Sequence, residues 1–197
     1  MRNASGMCPP DQGDSRCTAT YVSPTPPVQS QITAAENNST FGKVLDKLKI
    51  TGCCKTSGAS GMHVYIPLHH KYDYDLVRDF AKMLATMVHE LIPETTTLER
   101  SISKRKKNEV YIDYLQNSRG QTLASAYSVR PKPGATVSAP LEWQEVKRGL
   151  HPSRFTIKNM KKRADKKGDL FGQALEKGFD IPAAMRQIQK LEPQLVE

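Results

Sequence analysis

The chain has 197 residues, of which 38% are hydrophobic and 25% are charged, and this suits either one medium-sized globular domain or one domain with tails. Lysine and arginine number 29 against 20 acidic residues, so the net charge is +9 and a polyanionic partner, above all nucleic acid, is favoured. The sequence has no apolar run long enough to cross a membrane and no apolar signal-peptide core at its start. We therefore expect a cytoplasmic, nucleoid-associated protein with no membrane partner.

The first 40 residues differ in composition from the rest of the chain. Ser, Thr, Pro, Gln and Asn dominate there, apolar periodicity is absent, and Pro24, Pro26 and Pro27 interrupt regular structure. We predict that residues 1–40 form a disordered or unrelated segment and that residues 41–197 hold the folded domain. The four cysteines lack zinc-ligand spacing and are expected to be reduced thiols.

Hydrophobic periodicity predicts two helices in the first half of the domain. Apolar residues between Phe41 and Leu48 share one face of a short helix. The clearest helical pattern starts near Asp73 or Asp75 and stops before Pro93.

Thr96 and Glu99 then form a possible capping box for a short basic helix. The basic run at 104–107 follows it. This run is either solvated surface or a phosphate contact, and the sequence leaves both interpretations open.

Strand-forming residues alternate with these helical segments. A strand at 63–68 follows a loop of small residues at 55–61. Residues 110–115 and 122–130 also have strand character, and a turn at 117–120 separates them. We predict that these two strands form a hairpin.

The C-terminal region is predicted to be helical. One helix is centred on residues 158–166 and ends at Gly168, and a second covers residues 170–177 with Gly178 as its stop. Asp180 is the expected N-cap of a last helix, with a proline in its first turn.

Asp113 is the first candidate for a functional side chain. It lies in the middle of a predicted strand, on the same face as Tyr111 and Leu115. A carboxylate in that position is costly unless it is paired or binds a metal ion. A salt bridge and a functional role both remain open on this evidence.

The loop that begins at Ser57 is the second candidate, with His63 at its end. Gly58 and Gly61 allow positive φ and close approach of the backbone, so the loop N–H groups could cradle a phosphate. A plain turn is the alternative. Arg130 closes a predicted strand and is either a phosphate clamp or a surface ion pair.

Taken together, these segments closely resemble the polymerase domain of bacterial DNA ligase D, which belongs to the archaeo-eukaryotic primase type. The resemblance covers about residues 41–190, and the matching segments occur in the family's order and spacing. They are Lys55 to Tyr65, Tyr111 to Thr122, Ala126 to Ser138, Pro140 to Trp143, and Phe155 to Ile157.

The resemblance implies an α+β fold with a mainly antiparallel, primase-type sheet flanked by helices, incomplete at the N-terminus and with a helical C-terminal tail. It implies a nucleotidyltransferase of bacterial non-homologous end joining that adds nucleotides at DNA ends. Its partners would be DNA ends, nucleoside triphosphates, and possible further components such as a ligase domain and end-binding repair proteins. Its cofactor would be Mg²⁺ or Mn²⁺.

The resemblance also assigns roles to residues of this chain. Asp113 would be a catalytic carboxylate and metal ligand, and His63 would be both catalytic and nucleotide-binding. The nucleotide would also be bound by Ser57, Gly58, Gln116 and Arg130, the last two positioning it.

The chain departs from the family pattern at the metal site. Two further carboxylates are expected as Asp-x-Asp on a strand before the glycine loop, yet the only acid in residues 28–45 is Glu36. Asp73 and Asp75 have the right spacing but begin a helix. Ser60 stands where many relatives have lysine. We therefore expect a truncated or frame-disrupted chain whose activity is lost or impaired.

Two other functions are considered beside this one. A nonenzymatic, basic DNA-binding remnant of the same domain is the main alternative. A metal hydrolase that uses His63, His69, His70 and Asp113 is disfavoured, because adjacent histidines on a strand point to opposite faces.

Overall fold

The computed structural model describes residues 17–23, 39–68, 72–107, 109–147, 149–175 and 178–195. Its centre is a six-stranded sheet with the order β4-β5-β1-β3-β2-β6. The strands are β1 (Cys17–Ser23), β2 (Cys53–Thr56), β3 (Met62–Pro67), β4 (Thr96–Thr97), β5 (Val110–Asp113) and β6 (Pro140–Leu141). The β4–β5 pair is parallel and every other pair is antiparallel, so the predicted α+β class with a mainly antiparallel sheet is confirmed.

Four helices accompany this sheet in the described residues. They are α1 (39–47), α2 (Tyr74–Leu91), α3 (Ile157–Lys167) and α4 (Ile181–Leu195). None of the helices in the described part of the chain is both long and apolar enough to cross a membrane.

The two faces of the sheet have different roles because side chains alternate along each strand. Met62, Val64 and Ile66 of β3 belong to the main hydrophobic core together with residues of α1 and α2. The side chains between them, including His63 and Tyr65, lie outside that core cluster. Thus one face holds the domain together, and the other face is available to polar residues.

The helices predicted from periodicity are confirmed. Helix α2 has Asp73 as its N-cap, whose carboxylate accepts a hydrogen bond from the Leu76 N–H. Helix α3 ends at Gly168, where φ is +71°. Helix α4 follows Asp180, whose side chain accepts a hydrogen bond from the Ala183 N–H.

Two of the weaker helix predictions are wrong. No helix follows Thr96, because Thr96–Thr97 pairs with β5 as a short strand and only one 3₁₀ turn, Ile102–Lys104, comes after it. The segment predicted as a helix at 170–177 contains the 3₁₀ turn Gly172–Leu175. In each case the segment is too short for the repeated i→i−4 bonds that stabilise an α-helix.

The predicted hairpin is also wrong. Strand β5 pairs with β1, not with residues 122–130. In that second segment only Val129 forms a bridge, and its partner is Val137. The small side chains of the segment offer little surface for packing across a strand pair.

Strand β1 departs from the expectation of an irregular N-terminal segment. Residues 17–23 lie between β5 and β3. His69, His70 and Glu36 lie outside the described residues.

Candidate nucleotide site

A row of residues in register crosses the face of the sheet that carries the candidate side chains. Tyr21 of β1 stands opposite Asp113 on one side and opposite His63 on the other, and Lys55 stands opposite His63. Neighbouring strands are about 4.8 Å apart, so the backbone of Asp113 is about 10 Å from that of His63. A bound nucleoside triphosphate could span this separation.

Lys55 and His63 form a buried pair at the centre of the site. Lys55 is 0% exposed and His63 is 2% exposed. The Lys55 Nζ lies 2.8 Å from His63 Nδ1, 2.7 Å from the Ala124 carbonyl oxygen and 2.7 Å from Ser138 Oγ. An ammonium has three N–H donors, and this geometry gives each of them an acceptor.

These contacts define the hydrogen-bonding role of the imidazole. With Lys55 as the donor, His63 Nδ1 accepts and the ring proton lies on Nε2. Burial lowers the pKa of His63 to about 3, and the nearby charges of Lys55 and Arg130 lower it further. His63 is therefore a neutral imidazole at physiological pH and can act as a hydrogen-bond donor through Nε2.

The same surroundings affect Lys55. Burial lowers its pKa from 10.5 to about 7, and Arg130 contributes to the lowering. An anionic ligand would oppose this shift, because a nearby negative charge favours the ammonium form. Lys55, His63 and Arg130 thus form one electrostatically coupled cluster.

Ser57 organises the glycine loop from within. Its Oγ accepts hydrogen bonds from the Ala59 N–H at 3.1 Å and the Gly61 N–H at 3.0 Å, and its own N–H donates to the Gly61 carbonyl. Those two loop N–H groups therefore bond inside the loop and are not directed at a phosphate, which differs from the sequence-based interpretation. The hydroxyl proton of Ser57 can still be donated to a ligand.

Gly58 brings the loop against Arg130. Its φ is +70°, and a Cβ at this position would lie 2.5 Å from Arg130 Cγ and 2.9 Å from the Ser138 nitrogen. The hydroxyl of Thr136 donates to the Gly58 carbonyl oxygen. Arg130 is itself held by a hydrogen bond from its N–H to the Thr136 carbonyl at 2.7 Å. Only glycine allows this close approach.

We expect Gly58→Ala to destabilise the domain more than Gly120→Ala does. Both glycines have positive φ, at +70° and +81°, but nothing lies within 4 Å of a Cβ at Gly120. Gly120→Ala should cost only the conformational penalty, about 1 kcal/mol. Gly58→Ala should lower the free energy of unfolding by about 2 kcal/mol or more, because Arg130 must also move. Urea unfolding of both variants tests this, and equal losses would contradict the close contact.

Two predicted nucleotide-binding side chains carry buried polar atoms with no hydrogen-bond partner among the described residues. These atoms are Gln116 Oε1 and Arg130 Nε. Such atoms are uncommon in folded proteins, because leaving a polar group buried and unpaired costs free energy. A ligand that rearranges these side chains could satisfy them.

Asp113 ends strand β5 and is 9% exposed. Its Oδ1 accepts a hydrogen bond from the Leu115 N–H at 2.9 Å and a long one from the Tyr111 hydroxyl at 3.4 Å. Burial raises the pKa of Tyr111 to about 12, with a further contribution from Asp113. The carboxylate is thus held by Tyr111 of the same strand and by the backbone of Leu115 just after it.

The described residues do not fit a two-ion site. Strand β1, which lies beside Asp113, has the sequence CTATYVS and carries no acid. Among the residues that the structure describes, no group of three or more His, Cys, Asp or Glu side chains could hold a metal ion. A pair of divalent ions needs several carboxylate oxygens, and Asp113 alone does not supply them.

Lys55 is the site residue that sequence reasoning missed. It lies in the short strand Cys53–Thr56, where a charged residue between buried neighbours is as costly as Asp113 is in β5. The cost of burying a charged side chain, which singles out Asp113 in β5, also singles out Lys55 in β2.

The fold is that of a polymerase domain. The structure superimposes on the polymerase domain from Mycobacterium tuberculosis Ligase D in complex with DNA, with a TM-score of 0.74 and 25% identity. The match covers 85% of this chain and 57% of that one.

Sequence comparison identifies the family. Residues 24–171 match the family described as LigD, primase-polymerase domain, and the chain therefore belongs to this family. It is 36% identical over 151 residues to the bifunctional non-homologous end joining protein LigD of Bacillus subtilis, covering 75% of this chain and 24% of that protein. It is 33% identical over 122 residues to the multifunctional LigD of Pseudomonas aeruginosa, covering 62% of this chain and 14% of that protein. The chain thus spans about a quarter or less of the length of these curated relatives.

Proposed function

We propose that this domain binds a nucleoside triphosphate at a DNA end but does not complete nucleotide transfer. The observation that carries the proposal is the row in which Lys55 and His63 lie in register with a single carboxylate, Asp113. Arg130 lies against the Gly58 loop and adds its charge to Lys55 and His63. The basic cluster suits the phosphates of a nucleotide, while strand β1 lacks the acids that would hold metal ions.

Each predicted residue has a role in this proposal. Arg130 contacts phosphate oxygens through its guanidinium, and His63 donates a hydrogen bond through Nε2. Ser57 donates its hydroxyl proton, and Gly58 keeps the loop close to Arg130. Gln116 positions the nucleotide.

DNA ends are the proposed partner of the site. The relatives are named as non-homologous end joining proteins, and the solved relative is described in complex with DNA. The net charge of +9 supports a polyanionic partner for this chain as well. Within this proposal, the nonenzymatic DNA-binding remnant and an impaired enzyme differ only in residual transfer activity.

We expect Arg130→Ala to weaken nucleoside triphosphate binding by about 10-fold to 100-fold, the usual effect of losing hydrogen bonds from a charged donor. Isothermal titration calorimetry with ATP in the absence of metal ions measures this affinity. Arg119→Ala is the matched control, because Arg119 is exposed on a turn. If Arg130→Ala and the unmodified chain bind ATP with equal affinity, Arg130 does not contact the nucleotide.

A further inference from the structure

A second basic feature lies beyond strand β6, away from Asp113. Helix α3 and residues of the segments 144–147 and 150–155 line a groove of about 520 Å³. Arg163 of α3 donates a hydrogen bond to the Pro140 carbonyl, so the groove adjoins the β6 edge of the sheet. Strands β5 and β6 are four spacings apart in the sheet order, so the groove lies about 19 Å from Asp113. The other end of the row is nearer, because Lys55 pairs with Pro140 of β6, but the residues that line the groove are different ones.

The charges that face this groove are unbalanced. Its exposed cations are Lys147, Arg154, Lys162 and Lys166, and none of them has an ion-pair partner among the described residues. Unpaired ammonium and guanidinium groups that share one concave surface repel each other unless an anion lies between them.

The acid that lines the groove is already neutralised. Arg163 donates to both carboxylate oxygens of Glu145, and Lys167 lies 3.5 Å from the same carboxylate. Burial alone would raise the pKa of Glu145, but these cations and the Glu142 N–H hold it at about 2. Glu145 therefore fixes the wall of the groove and does not compete for the exposed cations.

The apolar side chains that line the groove are already packed against the protein. Phe155 and Leu150 are each only 9% exposed, and the Arg163 guanidinium lies 5.1 Å from the centre of the Phe155 ring. An apolar ligand would find little free surface there. The groove thus presents charge to solvent above a packed floor.

We propose that this groove binds the phosphodiester backbone of a nucleic acid. Lys162 and Lys166 are four residues apart on α3, about 6 Å along the helix axis. Phosphates of one strand are about 3.4 Å apart along a duplex axis, so the two lysines match phosphates two nucleotides apart. Backbone contacts of this kind give affinity without sequence preference. The proposal rests on DNA being the partner of this domain, and it adds a second contact surface outside the nucleotide site.

The test is charge reversal of the two groove lysines. Lys162→Glu/Lys166→Glu should weaken binding of a labelled blunt DNA duplex at 50 mM salt by about 10-fold, because two phosphate contacts whose affinity is roughly 3-fold each above that at 200 mM salt are lost. The slope of log affinity against log salt should become shallower by about 1.8, since each contact contributes about 0.9. Two duplexes of different sequence should be affected equally.

The matched control is Lys43→Glu/Lys47→Glu. These exposed lysines have the same spacing on helix α1 and give the same change in net charge. If the control loses as much affinity and salt dependence as the groove variant, the groove assignment is wrong and only net charge matters. Lys162→Gln/Lys166→Gln serves as a second variant if the reversed charges disturb folding, and circular dichroism checks all of them.

The outcomes separate this proposal from the proposed function. If the groove variants bind DNA as tightly as the unmodified chain does, and ATP binding is also unchanged, the groove proposal is wrong and the proposed function stands. An unmodified chain that binds no duplex overturns both. An acidic peptide that displaces the duplex as well as unlabelled DNA does would assign the groove to a protein partner instead.

Discussion

A primer-extension assay on the 197-residue chain is expected to give no extended product, even with Mn²⁺ and all ribonucleotides present. Nucleotide transfer of this kind uses two divalent ions, which activate the 3′-hydroxyl and stabilise the leaving pyrophosphate. A single carboxylate holds Mg²⁺ loosely, because the ion keeps most of its waters. Asp113 has no acidic neighbour on strand β1.

The expected loss is large because alignment and charge stabilisation disappear together. Without a second anchored ion nothing fixes the 3′-hydroxyl in line with the α-phosphate, and the barrier should rise by several kcal/mol. This corresponds to a rate lower by about 10³-fold or more. Extension that is abolished by Asp113→Ala would show that another acid of this chain replaces the missing pair.

A gain-of-function variant sharpens the test. Positions 19 and 21 share one face of β1, and Tyr21 stands opposite Asp113. Ala19→Asp/Tyr21→Asp therefore introduces a carboxylate pair beside Asp113. We expect this variant to bind Mn²⁺ more tightly than the unmodified chain, as measured by paramagnetic relaxation. The same double variant with Asp113→Ala added is the control and should lose the gain in Mn²⁺ affinity.

The sequence predicted the helices better than the strand pairing, for a physical reason. The signals that define α2, its apolar spacing and the Asp73 cap, are local and lie within the helix itself. Pairing of β5 depends on a partner about ninety residues earlier, and nothing local to Val110–Asp113 identifies it. The hairpin was predicted because its two segments are adjacent, and adjacency is only a tendency.

Strand β1 shows how composition can hide an element. Its sequence, CTATYVS, contains the strand-formers Thr, Tyr and Val. The Pro, Ser and Gln residues around this short run give the whole segment a composition typical of irregular structure. A short strand that lies between two others gains stability from pairing on both sides, and the sequence does not display that contribution.

Only part of the candidate site could be selected from the sequence, for a similar reason. Ser57, His63 and Arg130 could be selected because their motifs match the family, and the structure brings Arg130 against the loop. The contact between Lys55 and His63 arises from strand register, which links β2 to β3. Register is a property of the folded sheet, so the pair emerged only with the structure.

The free energy of unfolding is expected to rise with pH across the range in which Lys55 titrates. Its pKa is about 7 in the folded domain, compared with 10.5 in its ordinary state. Between these values the unfolded chain holds the Lys55 proton and the folded domain does not, so folding releases a proton and stability increases with pH. Between about pH 7 and about pH 8.5 the gain should be about 1.6 kcal/mol, because the folded Lys55 is still half protonated at the lower end.

Lys55→Met should remove this rise, and urea unfolding at both ends of that interval measures it. Burial raises the pKa of Cys54 above its ordinary range and that of Tyr127 to about 12, so both groups lower stability at higher pH. Their effects are the same in both proteins and cancel in the difference between the unmodified chain and the variant.

Lys47→Met, at an exposed position of α1, should keep the full pH dependence. Lys55→Gln retains a hydrogen-bond donor and replaces the methionine variant if that one does not fold. An unmodified chain whose stability is flat across this interval would mean that Lys55 keeps its proton, and that its three acceptors outweigh the cost of burying the charge.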